Sequence, residues 1–257
     1  MISTHYGIKE GSDVLVQCPN CRTRFDMALD FGEEVLNPSI SVVRRKTERS
    51  SWTALAEEIQ NGCAYRAVSV GDEIPFTLKN GESVVAVAVH ENPYWNNSMA
   101  FVIKDCLKDR CQMNATNTNR GGYAATKMRK HLIDDIVPLL PDELVSVIKP
   151  RTIIQKYNNA EYKSTDLIWI PSRTEIIGPH DHFKDIDFGD IHFDFFSDEK
   201  SRVKMLGDET YYWWLRSAYN GYISAYNGYI FYGVGSNGAS GSGGASYSNG
   251  VVFGFLI

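Results

Sequence analysis

Val251-Val252-Phe253-Gly254-Phe255-Leu256-Ile257 ends the chain on an apolar, strand-forming run with the composition of a strand buried on both faces. A chain that finishes in its own core holds whatever precedes that run. Residues 217–250, which precede it, are almost wholly Tyr, Asn, Ser, Gly and Ala, and carry no charged side chain. Inside this tract Ser217-Ala218-Tyr219-Asn220-Gly221-Tyr222-Ile223 recurs unchanged as Ser224-Ala225-Tyr226-Asn227-Gly228-Tyr229-Ile230. Side chains alternate faces along a strand, so a repeat of odd length inverts them and the chain is expected to bend between the copies. Asn220-Gly221, Asn227-Gly228, Asn237-Gly238 and Asn249-Gly250 are turn dipeptides that tolerate positive φ.

The mixture is that of a binding loop: Tyr supplies stiff, amphipathic contact area at low entropy cost, and Ser, Gly and Asn supply adaptable hydrogen bonds. Short strands and tight turns displaying tyrosines are therefore expected, against the alternative of a flexible low-complexity tail. The ligand-binding candidates are Tyr219, Asn220, Tyr222, Ser224, Tyr226, Asn227, Tyr229, Tyr232, Ser236, Asn237, Ser246 and Tyr247. Strand alternation means that not all of them can face one way.

Upstream, Tyr211-Tyr212-Trp213-Trp214-Leu215-Arg216 reads as an aromatic core strand. Arg216 is expected to be a structural cation bonded to loop carbonyls or a carboxylate. Residues 178–208 form an acidic, aromatic insertion that includes His180-Asp181-His182, His192 and Asp194, the residue types of a metal site or of a solvated loop. Asp166-Leu167-Ile168-Trp169-Ile170 predicts a buried strand, and Ser172-Arg173-Thr174-Glu175 has capping-box spacing. That role accounts for Glu175 more simply than acid-base work beside Arg173.

Further upstream, Met128, Leu132, Ile133, Ile136 and Val137 predict an amphipathic helix over 124–137, bounded by Pro138 and Pro141, with a shorter one through Leu144, Val145 and Ile148. Strands are expected at 67–70, 74–78, 83–90 and 99–103, with a hairpin turn at Lys79-Asn80-Gly81. A helix over 51–59 has Ser50 or Ser51 as N-cap and ends at Asn61-Gly62. Helices early and strands late point to a mixed α+β fold.

Residues 1–49 read as a small extension, with apolar runs at Val14-Leu15-Val16 and Phe25-Asp26-Met27. Cys18 and Cys21 sit in a Cys-x-x-Cys knuckle whose spacing could grip zinc with two further ligands. A metal-free turn or a redox pair are the other readings, although the helix of a thioredoxin motif is missing. No cofactor is required by any motif, and zinc at this knuckle is the one metal expected.

At 257 residues, 43% apolar, the chain can build one large domain or two small ones. A net charge of −5 and the absence of a basic stripe argue against nucleic-acid binding. No apolar run approaches the roughly 20 residues of a membrane helix, and the N-terminus carries no signal-peptide pattern. A cytoplasmic protein or a phage virion component is expected. Five cysteines, an odd number, argue against a full disulfide framework and fit a reducing compartment.

Several segments together resemble one family: Ser51-Trp52-Thr53-Ala54-Leu55-Ala56, Val70-Gly71-Asp72-Glu73-Ile74, Lys79-Asn80-Gly81-Glu82, Lys127-Met128-Arg129-Lys130-His131-Leu132, Leu140-Pro141-Asp142-Glu143-Leu144, Leu167-Ile168-Trp169-Ile170-Pro171-Ser172, Trp213-Trp214-Leu215-Arg216-Ser217 and Gly250-Val251-Val252-Phe253-Gly254-Phe255. They are similar to a bacterial and phage domain family of C-type-lectin fold, related in shape to the formylglycine-generating enzymes. The resemblance spans about residues 50–257 and implies a C-type-lectin-like domain with two helices packed on small antiparallel sheets, preceded by the extension at 1–49. Some members of that fold group are variable proteins of diversity-generating retroelements, whose 3′ coding ends are rewritten at template adenines. Asn codons mutated at adenines yield Tyr, Ser, Gly, Asp, His, Ile, Thr and Ala among others, a set that includes the Tyr, Ser, Gly, Ala and Ile of residues 217–250.

What the resemblance implies is a non-enzymatic protein that recognises a macromolecular ligand, a protein or cell-surface structure, through this tract, with the N-terminal region attaching it to a phage or surface assembly. A fixed-specificity carbohydrate- or protein-binding domain of the same fold is the alternative, and a metal-dependent enzyme a further one. Cysteine-dependent oxidation of the formylglycine-generating type is disfavoured because no cysteine follows Cys111. Calcium-dependent sugar binding in the tract is disfavoured because it holds no Asp or Glu.

Overall fold

The structure, a computed structural model, describes residues 13–17, 24–30, 39–41, 51–157, 160–219 and 228–257, the first three segments as backbone only. The two N-terminal apolar runs lie in β1 (Asp13–Gln17) and β2 (Arg24–Asp30), which with β3 (Ser39–Ser41) make a three-stranded antiparallel sheet.

Ser51 caps α1 (Trp52–Gln60) by accepting a hydrogen bond from the Ala54 amide at 3.1 Å, and the helix buries Trp52, Leu55, Ala56 and Ile59. The next element is a single helical turn, α2 (Ala64–Ala67), and not the strand expected at 67–70. An apolar run this short fits either element, and here burial of Ala64 and Ala67 is served by one turn, closed by the bond from Val68 N to Ala64 O. Strands β4 (Glu73–Thr77), β5 (Ser83–Glu91) and β6 (Met99–Ile103) follow as expected, with Gly81 at φ +90° in the first hairpin, and then the short β7 (Cys111–Gln112).

The helix expected over 124–137 is split. A 3-10 turn at Tyr123–Ala125 precedes α3 (Lys127–His131), which widens into a π-helical turn at Leu132–Ile136 and closes in a 3-10 turn at Val137–Leu139. Pro138 has no N–H to return to the preceding turn, so the regular ladder cannot continue through it. The buried stripe survives the change of register: Met128, Leu132 and Ile136 all face the core. The shorter helix is α4 (Asp142–Val147). A long hairpin that sequence reasoning did not anticipate, β8 (Arg151–Tyr157) with β9 (Ala160–Asp166), leads to β10 (Ile168–Trp169) and α5 (Arg173–Ile177).

The remainder comprises α6 (Glu199–Arg202), the small β11 (Met205–Leu206) and β12 (Glu209–Thr210) ribbon, β13 (Trp213–Ala218), β14 (Ile230–Val234), β15 (Ser240–Gly244), β16 (Ser248–Asn249) and β17 (Gly254–Leu256).

The terminal run is the centre of the molecule. β17 pairs antiparallel with both β6 and β10 in a five-stranded sheet ordered β10-β17-β6-β5-β4. Val251, Val252, Phe253, Phe255, Leu256 and Ile257 are fully buried. Phe255 stacks on Phe101 with centroids 5.2 Å apart, and Trp52 of α1 meets Phe76, Phe101 and Phe255 edge-on at 5.8–5.9 Å. Helices and small antiparallel sheets together make an α+β fold. Among the described residues no helix is long and apolar enough to cross a membrane.

Candidate binding surface

The tyrosine- and glycine-rich tract is mounted on a second sheet, ordered β13-β14-β15. β13 supplies the foundation. Trp213, Trp214 and Leu215 are fully buried, and the two indole N–H groups donate to the Arg202 and Cys111 carbonyls at 3.0 Å each. On one face of β14 and β15 the glycines lie under aromatic rings. A Cβ on Gly233 would stand 2.3–2.5 Å from the Tyr212 phenol, one on Gly241 would be 3.0 Å from the same ring, and one on Gly243 would be 3.1 Å from Trp214. These three glycines permit close approach of ring and strand. They therefore belong to the scaffold.

Residues of the other parity, with Tyr232 opposite Ser242, point the other way. Tyr232 stacks on Tyr219 at 5.9 Å and receives Phe183 edge-on at 4.8 Å, while the His182 ring lies 5.5 Å from Tyr219. The Arg173 guanidinium lies over the Phe183 ring, 4.5 Å from its centroid. The tract thus meets the acidic insertion through an aromatic cluster that neither segment shows by itself.

Asn237-Gly238 makes the β14–β15 turn. Asn237 Oδ1 accepts from the Ala239 amide at 3.1 Å, and Gly238 adopts φ +85° with its Cα face against the Glu199 carbonyl, where a Cβ would be only 1.8 Å away. Asn249-Gly250 is not a turn, contrary to expectation. Gly250 bridges in parallel to Trp213 and exchanges backbone bonds with Tyr212 and Trp214, because the chain must run extended there to enter the core. The actual turn falls at residues 245–247, where Tyr247 N donates to Gly244 O at 2.9 Å. The base of the repeat is clamped from outside the tract: Asn119 Nδ2 donates to the Tyr219 and Ile230 carbonyls at 3.0 and 3.1 Å, and Asn119 N donates to Gly228 O at 2.8 Å.

Of the expected ligand-binding residues, Ser236, Asn237 and Tyr247 are exposed, Tyr247 by 62%. Tyr219, Tyr229, Tyr232 and Ser246 are half-buried, and Ser246 bonds to Asn117 through its amide and hydroxyl at 3.2 and 3.0 Å. The expectation that tyrosines of this tract are plain surface positions therefore needs correction at Tyr219 and Tyr232, which pack against Phe183 and His182. Asn220, Tyr222, Ser224, Tyr226 and Asn227 lie outside the described residues, as do Cys18 and Cys21.

Beneath the insertion lies a buried ring of alternating charge. Arg216 Nη1 contacts Glu175 at 2.6 Å, Arg151 contacts the other Glu175 oxygen, and each arginine reaches a different oxygen of Asp190. Glu175 also accepts from Tyr94 Oη and, completing the capping box of α5, from Ser172 N at 2.7 Å. Burial alone would raise the Glu175 carboxyl, but Arg151 and Arg216 outweigh it and hold the group down at about 2. Asp190 is pushed up to about 7 by burial, only partly offset by Arg216 and with Glu175 and Asp187 nearby.

Arg216 is the structural cation that its sequence context suggests, bonded also to the Ile170 carbonyl at 2.9 Å. Asp187 ties the insertion to α5 and β13 by accepting from Thr174 and from the Ser217 hydroxyl at 2.6 Å. A cavity of about 360 Å³ opens above it, lined by Thr174, His180, Lys184, Asp187 and Asp190. Sequence reasoning marked the insertion as acidic and aromatic but not this ring, because Arg151, Glu175, Asp190 and Arg216 come from four separated segments.

The residues flagged for metal binding are used singly: Asp194 pairs with His90 at 3.1 Å, His192 Nε2 contacts the Phe196 carbonyl, and His180 Nδ1 accepts from the His182 amide. Among the described residues no group of three or more His, Cys, Asp or Glu is placed to hold a metal. Cys63 is disulfide-bonded, whereas Cys106 and Cys111 are free and burial raises both thiols.

Residues 97–252 match a family described as a domain of unknown function, DUF6273. No curated protein and no solved structure matches the chain.

Proposed function

The chain belongs to the DUF6273 family, and we propose that it is a non-enzymatic ligand-binding protein whose C-terminal Tyr/Asn/Ser/Gly-rich surface is diversified by adenine-directed retroelement mutagenesis on a C-type-lectin-like scaffold. The observation that carries this reading is the division of labour within residues 228–250. Bulky contacts of Tyr212 and Trp214 fix Gly233, Gly241 and Gly243 on one side, while a second group, Ser236, Ser240, Ser242 and Tyr247, stands exposed; Asn237 is exposed as well, but its side chain braces the β14–β15 turn through the Ala239 amide. Side chains in that second group can be exchanged at little cost in stability, which is what a diversified surface requires. The uncharged, tyrosine-bearing composition suits recognition of a protein or cell-surface structure.

Sequencing the DNA that flanks the gene tests the proposal. The expected result is a near-copy of the codons for residues 217–257 that differs at adenines, beside a reverse-transcriptase gene. A flanking region with neither would refute diversification and leave a binding surface of fixed specificity.

A further inference from the structure

We infer that the outer edge of β15 is a docking strand, and that the ligand enters partly as an extended peptide segment paired to the backbone of Ser240 and Ser242. The inference rests on the binding role proposed for this face and adds how it holds its partner.

β15 is the last strand of its sheet. The hydrogen-bond phase of the β14–β15 pair is fixed at both ends, by Ala245 N donating to Tyr229 O and Gly235 N donating to Ala239 O at 2.8 Å each. With the register Phe231 to Gly243 and Gly233 to Gly241, the backbone groups of Gly241 and Gly243 turn inward to β14. Those of Ser240 and Ser242 turn outward. Both residues are exposed, and among the described residues no partner takes their N–H or C=O groups. The pattern presents donor and acceptor pairs about 6.8 Å apart, a repeat that another extended backbone matches.

Edge strands in proteins usually carry a Lys, a Pro, a bulge or a covering segment against such pairing. Ser240-Gly241-Ser242-Gly243-Gly244 has no charge and no proline, and its register with β14 runs without a bulge. Its accessible length ends at Gly244, where the Asn117 amide is packed and the carbonyl is taken by Tyr247. Four residues of edge are too little to hold two copies of a folded chain together, since stable interfaces bury on the order of 1,000 Å² or more. A partner segment, by contrast, can continue past the edge over the exposed Tyr247. Backbone pairing is indifferent to side-chain identity, so it would survive changes in neighbouring side chains and give every variant the same minimum hold.

Ser242→Pro removes an outward N–H and no inward bond, a substitution that edge strands tolerate, and Ser242→Ala keeps the N–H while removing the hydroxyl. The probe is a displayed library of random linear peptides selected on the immobilised full chain. Selected peptides should bind wild type and S242A alike and bind S242P about tenfold more weakly, the loss of roughly one hydrogen bond. Thermal unfolding confirms that the variant is folded; if S242P fails that check, Ser240→Pro, whose N–H is equally outward, takes its place. Binding insensitive to proline, or a library that yields no binder, overturns the inference. So does self-association of wild type that S242P abolishes, which assigns the edge to a second copy. Failure of the underlying binding role reads differently: Tyr247→Ala, which leaves the backbone bonds of the edge in place, would then not affect ligand capture.

Discussion

Replacing Glu175 by Gln keeps the shape of the side chain and removes one negative charge from the buried ring. Glu175 has no solvent exposure and contacts Arg151, Arg216, Tyr94 Oη and Ser172 N. With Gln in its place, an amide group faces two guanidinium groups that Asp190 alone must balance. Breaking one partner of a buried ion pair costs about 3–5 kcal/mol. An independent route gives a similar size: depression of the carboxyl from 4.5 to about 2 corresponds to about 3 kcal/mol. For a domain of this length that is roughly 6–20 °C in Tm.

The assay is urea and thermal unfolding of both proteins, followed by tryptophan fluorescence. The sign of the pH dependence is a second check. A carboxyl depressed in the folded state contributes stability that is present above its unfolded value and is lost as pH falls through the folded value. The gap between wild type and E175Q should therefore be full at pH 7 and close between about 4.5 and about 2. A loss below about 0.5 kcal/mol at pH 7, the range of ordinary surface substitutions, would refute the assignment of this ring as the structural tie between α5, β8 and β13.

Trp214→Ala should cost about 3–5 kcal/mol, since it empties a fully buried site and removes the indole bond to the Cys111 carbonyl; an unchanged Tm would contradict the scaffold role of β13. Gly238→Ala combines a positive φ with a Cβ placed 1.8 Å from the Glu199 carbonyl oxygen, so it should destabilise by more than the 1–3 kcal/mol usual for overpacking, measured by chemical denaturation. Lys204 is buried beneath Phe196 and Trp213 with its ammonium donating to the Ile103 and Lys104 carbonyls, and burial lowers it to about 8. Between about 8 and the ordinary 10.5 the unfolded chain holds a proton that the folded one does not, so stability should rise with pH across that window, by up to about 3 kcal/mol. Comparison with Lys204→Met isolates the effect, and a flat difference would refute it.

Periodicity and composition alone determined the large features: the buried terminal strand, the capped helix α1, the capping box at Ser172, the hairpin at Gly81 and the uncharged tract before the end. Each is a local signal, written in residues that are neighbours in the chain or one turn apart. Two errors of element type came from the limits of such signals. The short apolar run near Ala67 fits a turn of helix as well as a strand, and the stripe over Met128, Leu132 and Ile136 does not reveal that the ladder passes from α- to π- to 3-10 turns along it.

What only the tertiary structure decided is which tract residues are free. Gly233, Gly241 and Gly243 are scaffold because Tyr212 and Trp214 press on them, and Tyr232 is packed because Phe183 arrives from an insertion about fifty residues upstream. The charge ring joins Arg151, Glu175, Asp190 and Arg216, and the clamp from Asn119 reaches about a hundred residues to Tyr219. Contacts of this kind leave no periodic trace, because their partners are set by how β13 and the insertion pack in space and not by spacing along the chain.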